Sequence, residues 1–166
     1  IAHRIKRFLV ASLAWVNLPG LVLSGLLVAV FAGATDAEAR DRYYSINGLA
    51  IGGYDTVAYF TQNDAVEGSA EHSTEWMGSR WQFSSAANLR KFKANPEKYA
   101  PQYNGYCAFA ASKNYIYQTD PNSWTVYKGK LYLNAGLSTR LRWRATRDAS
   151  IAAANKNWPG LRKQLQ

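Results

Sequence analysis

The chain has one cysteine, one methionine and two histidines in 166 residues. A single cysteine, Cys107, excludes any internal disulfide, so the fold must be held by packing alone. With His3 near the N-terminus and His72 as the other histidine, no histidine pair at metal-ligating spacing exists. A Gly-rich phosphate loop is absent, and so is a Ser-His-Asp order that could form a triad. Acids are scarce, 11 against 20 Lys and Arg, which gives a formal charge of +9. No internal repeat or low-complexity tract is seen, so long disordered segments are not expected.

Aromatics, by contrast, are plentiful: 6 Trp, 11 Tyr and 6 Phe. They supply the core of one small domain. The N-terminus has a different character. His3, Arg4, Lys6 and Arg7 precede an uncharged run from Phe8 to Phe31, and small residues follow to Ala39. A basic head, an apolar middle and the small-x-small end Ala37-Glu38-Ala39 form the pattern of a secretory signal cleaved before Arg40. The apolar run is also long enough to stay as a membrane anchor, with the basic flank inside. Residues 1–39 are therefore expected to be a signal peptide or anchor helix, and residues 40–166 the domain. Either route places the domain outside the cytoplasm, in the periplasm or tethered to the inner membrane.

Removing residues 1–39 takes away three basic and two acidic residues, so +9 becomes +8. The first expectation from this charge is solubility; as for a partner, an exported basic domain is expected to meet anionic lipid, wall polymer or an acidic protein, and nucleic acid is not the expected partner.

The expected fold class is α+β, with two short β-hairpins packed against several short helices. Asp55 is placed to cap a helical turn through Phe60. A first hairpin runs from Ser73 to Phe83 around a Gly78-Ser79 turn. Ser84 or Ser85 caps a helix over 86–93, and Asn95-Pro96 starts another turn. The second hairpin pairs Trp124–Tyr127 with Leu131–Leu133 across Lys128-Gly129-Lys130, after a turn over 120–123. Ser138 is placed to cap a last helix containing Leu141, Trp143 and Ala145. Arg140, Arg142, Arg144 and Arg147 read mainly as its solvated face.

Five motifs in order carry a resemblance. They are Gly53-Tyr54-Asp55-Thr56-Val57-Ala58-Tyr59-Phe60; Phe83-Ser84-Ser85-Ala86-Ala87-Asn88 to Asn95-Pro96-Glu97-Lys98-Tyr99; Gly105-Tyr106-Cys107-Ala108; Gly129-Lys130-Leu131-Tyr132-Leu133-Asn134; and Asn157-Trp158-Pro159. Together they resemble the exported bacterial YHS domain-containing (seleno)protein family over about 43–161. The resemblance implies a non-enzymatic binding domain concerned with metal or redox homeostasis. It implies that Cys107 stands where some members carry selenocysteine, which calls for an accessible, reactive thiol. The broader family includes metal-handling modules with three cysteines. Their positions match Ala58, Ser84 and Asn88, so that thiol site is absent here.

Cys107, His72 and Met77 are the remaining soft donors, a set suited to copper(I). His72 is expected in an exposed loop, and Met77 beside a turn. A lone thiol cannot complete a tetrahedral site, so a metal role would need a second envelope protein or a homodimer. The alternatives are a redox thiol with an external resolving thiol, and an adaptor domain with Cys107 in its core.

Overall fold

The computed structural model describes residues 43–165. The signal or anchor segment expected over residues 1–39 lies outside them. Among the described residues no helix is long and apolar enough to cross a membrane.

The architecture is α+β, as expected. Strands β1 (Ser45–Ile46), β2 (Leu49–Ala50), β3 (Ser69–Trp76) and β4 (Ser79–Phe83) form one sheet in the order β1-β2-β4-β3. The β3–β4 pair is the first expected hairpin. Its turn is Met77-Gly78 rather than Gly78-Ser79, because Trp76 pairs with Ser79. Both turn residues have positive φ, 49° and 65°. Such a two-residue loop matches the right-handed twist of the strands. The second sheet is the hairpin β5 (Asp120–Tyr127) and β6 (Lys130–Asn134). Its turn is Lys128-Gly129, again with both φ positive, and Lys130 joins the strand opposite Tyr127. The turn expected over 120–123 lies inside β5. A register irregularity between Asp120 and Trp124 absorbs it, and Asp120 accepts bonds from Asn122 and Ser123.

Six helices complete the domain: α1 (Ala58–Thr61), α2 (Ala86–Ala94), α3 (Pro96–Tyr99), α4 (Ala108–Ser112), α5 (Leu137–Ala145) and α6 (Arg147–Arg162). Ser85 caps α2 by accepting from the Asn88 amide, and Asn95 caps α3 by accepting from the Lys98 amide. Both were legible from residue type. Ser138 does not cap α5: the N-cap is Gly136, with no side-chain bond, and Ser138 lies exposed within the helix.

β6 is buried from Leu131 to Asn134 because it divides two cores. Leu131 and Leu133 join Ile51, Val57, Trp81 and Phe83 on one side. Tyr132, with the opposite orientation that strand alternation requires, joins Trp143, Ala154 and Leu161 on the other. Full burial on both faces stabilises each of these aliphatic residues by about 1.5–3 kcal/mol.

Two core tyrosines give the domain an alkaline limit. Tyr59 is 1% exposed and donates to the Pro121 carbonyl at 2.9 Å. Burial first, then nearby Tyr54 and the acids Asp120, Asp55 and Asp64, push its hydroxyl well above the ordinary 10.0. Tyr103 is pushed up mainly by burial and then by Tyr132, and donates to Asn155. Each stays neutral in the fold at a pH where the unfolded chain would release the proton. Stability is therefore full below pH 10 and falls above it, by about 1.4 kcal/mol per pH unit for each such group. Urea midpoints at pH 9, 10 and 11 should show this fall, and Tyr59→Phe should flatten it. Midpoints unchanged to pH 11 would contradict it.

Candidate functional site

Two polar centres are built into the apolar interior. The first is Asp55, fully buried just before α1. Its Oδ1 accepts from the backbone amides of Val57 (2.9 Å) and Ala58 (3.2 Å). This is the capping role expected from the sequence. Its Oδ2 has a further role: it accepts from the Ser84 amide (2.8 Å), the Ser84 hydroxyl (2.7 Å) and Asn88 Nδ2 (2.7 Å). Five donors thus converge on one carboxylate, which satisfies a charge that would otherwise be very costly to bury. The centre pins the start of α1, the end of β4 and the first turn of α2 to one point. Ser84 and Asn88 are 29 and 33 residues from Asp55. No local spacing in the sequence announces that meeting.

The second centre is Cys107. It is the N-cap residue of α4, and its amide donates to the Tyr117 carbonyl at 3.0 Å. It is 1% exposed, because α4 packs against α5, α6 and β6. The accessible thiol implied by the resemblance is therefore corrected: the thiol is enclosed. Its Sγ lies 3.9 Å from Oδ1 of Asn134, the last residue of β6. That oxygen also accepts from the Phe109 amide at 3.3 Å, which fixes the orientation of the Asn134 amide. Asn134 Nδ2 is buried and has no acceptor among the described residues. Leaving a buried donor unpaired costs about 1–3 kcal/mol, so such groups are rare and call for an explanation. In the sequence Asn134 stands only as the last residue of the Gly129–Asn134 motif. A polar residue ending a run of apolar strand positions was the available signal.

The backbone before Cys107 is unusual too. Tyr103, Asn104 and Gly105 have φ of 55°, 48° and 79°. A left-handed run of this length holds about 1–2 kcal/mol of strain at each non-glycine position.

The other two soft donors lie elsewhere. His72 is half-buried on β3, beside the register irregularity that follows Ser69, rather than in an exposed loop. Met77 is exposed in the β3–β4 turn. One is on the strand and the other in the turn that follows it, and Cys107 belongs to a different element. The structure does not bring Cys107, His72 and Met77 together. Among the described residues no three of His, Cys, Asp and Glu form a cluster that could hold a metal ion.

A sequence model of the YHS domain family matches residues 57–103. The chain carries a YHS domain. The match runs from α1 through the β3–β4 hairpin to α2, α3 and Tyr103, and so contains two of the three residues of the Asp55 centre. Cys107, Asn134 and the β5–β6 hairpin follow it. Comparison with curated proteins and with solved structures gives no match to either.

Within the YHS domain, the positions that the resemblance aligns with metal-branch thiols are Ala58, Ser84 and Asn88. All three touch Asp55. Where that branch places sulfur, this YHS domain places a closed set of hydrogen bonds. A hydroxyl and an amide that both donate to a carboxylate are engaged, and neither is a soft ligand.

Proposed function

We propose that this is an exported YHS domain that serves redox homeostasis in the cell envelope, with Cys107 as its reactive position. Export is supported by the basic, apolar and small-residue order of residues 1–39. The observation that carries the redox reading is the unpaired Asn134 Nδ2 on the amide whose Oδ1 faces Cys107 Sγ. A thiol offers that donor little, whereas an oxygen added to the sulfur gives it a strong acceptor.

The chemistry is a two-electron oxidation by a hydroperoxide. The Cys107 sulfur attacks the terminal peroxide oxygen, an S–O bond forms and the O–O bond breaks. The thiol becomes a sulfenic acid and the peroxide leaves as water or an alcohol. Burial admits a small oxidant and excludes large ones. Since the chain has no second cysteine, reduction requires an external thiol. That thiol attacks the sulfur, releases water and leaves a mixed disulfide, which a further thiol reduces. Access for that step requires a local opening, and the left-handed run before Cys107 is the strained segment available for it. A metal role for Cys107, with copper(I) as the fitting ion, would need ligands from a partner protein or a second copy.

The test is the mass of the folded protein after brief exposure to hydrogen peroxide. One added oxygen is expected on Cys107, and added glutathione should convert it to a mixed disulfide. Absence of the added oxygen until the chain is unfolded would reduce Cys107 to a core residue and leave an adaptor domain.

A further inference from the structure

The outward face of α5 is occupied by residues that no interior contact explains. Leu137 is 64% exposed and Leu141 is 54% exposed. At a spacing of four they lie together on one side of the helix. Trp143, on the opposite side, is fully buried. With about 100° between successive residues, Arg142 falls on one flank of the leucine pair, and Arg140 and Arg144 on the other. Arg140 is held against the body of the domain, its Nε donating to Thr125 and its guanidinium over Trp124. Arg142 and Arg144 are exposed and form no ion pair among the described residues. From Leu131 to Arg147 the chain contains no Asp or Glu.

We propose that this face of α5 docks onto an anionic lipid surface. Two protruding leucines flanked by free guanidinium groups, with no acid among them, fit the boundary between acidic headgroups and acyl chains. The leucines enter the apolar layer while the arginines remain at headgroup level. A protein groove is a poorer occupant. Helix-in-groove binding uses apolar anchors over about two turns or more, and after Leu141 this stripe continues only with Ala145. The inference does not depend on the redox reading of Cys107.

The apolar segment over residues 8–31 would itself attract lipid, so the test must read α5 locally in the full chain. Leu141→Cys carries an environment-sensitive fluorophore, and Ala87→Cys, at an exposed position of α2, carries the same probe as a control. Enclosed Cys107 leaves the new thiol as the labelled one. Vesicles containing phosphatidylglycerol should blue-shift the probe at 141 and leave the probe at 87 unchanged. Pure phosphatidylcholine should shift neither. Adding Arg142→Gln and Arg144→Gln should weaken the apparent affinity read at 141 about 30-fold, from the contribution of two basic residues near an anionic surface. Equal shifts on both lipids would overturn the proposal, since they would reflect apolar insertion alone. No shift on vesicles would overturn it too. So would a shift with polyglutamate but not with lipid, which would assign the face to an acidic protein.

Discussion

Asp55→Ala should destabilise the domain by about 3–5 kcal/mol, which would lower the melting temperature by roughly 10–20 °C. The substitution removes the only acceptor shared by five donors. The loss is larger than that of one hydrogen bond. Asn88 is 5% exposed and its Nδ2 would be left with only a long contact to Ser84 Oγ, at 3.5 Å. The amides of Val57 and Ser84 would lose their partners as well. Asn88→Ala should cost less, because Asp55 then keeps four donors. A double-mutant cycle between the two should show strong coupling, since both act through the same oxygen. Thermal and urea unfolding measure all three proteins. A loss below 1 kcal/mol in Asp55→Ala would show that the carboxylate does not organise this end of the fold.

Gly105→Ala should cost about 2–4 kcal/mol, the sum of a left-handed alanine and a steric overlap. At φ +79° an added Cβ would overlap Ile51 Cδ1. Ile51 is 1% exposed and lies in the first core, so that methyl group has little room to retreat. Gly129→Ala separates the two contributions. Gly129 has φ +72°, yet nothing lies within 4 Å of its added Cβ. It should show only the backbone cost of about 1–2 kcal/mol. The difference between the two variants therefore reports the packing around the loop that leads into Cys107. Equal costs would mean that Ile51 yields freely and that the loop is not clamped.

What the sequence disclosed was local. The caps at Asp55, Ser85 and Asn95-Pro96 are short-range hydrogen bonds whose residue types announce them. The hairpins were legible from aromatic strands around glycine, and their turns were misplaced by one residue because Met77 and Lys128 are not usual left-handed residues. Helix α6 was missed for a different reason. Asn155, Asn157, Pro159 and Gly160 are poor helix formers. Packing of Ile151, Ala154, Trp158 and Leu161 onto the second core outweighs them. Asn157 adds a tether by donating to the last carbonyls of α4, those of Ala111 and Ser112. Both polar centres depend on contacts between distant segments. Asp55 meets Ser84 and Asn88, and Cys107 meets Asn134, only after the two sheets are in place. No periodicity could have shown that Ser84 and Asn88 converge on the Asp55 carboxylate, or that the lone thiol is enclosed.

The most direct measurement is the rate at which Cys107 reacts with hydrogen peroxide and with a bulky maleimide, each in the folded protein and in urea. If the Asn134 amide supports the oxidised sulfur in the buried interior, unfolding should reverse the order. Peroxide should react faster with the folded protein, and maleimide faster with the unfolded chain. If both reagents react faster after unfolding, the fold merely shields a core cysteine, and Cys107 has no redox role.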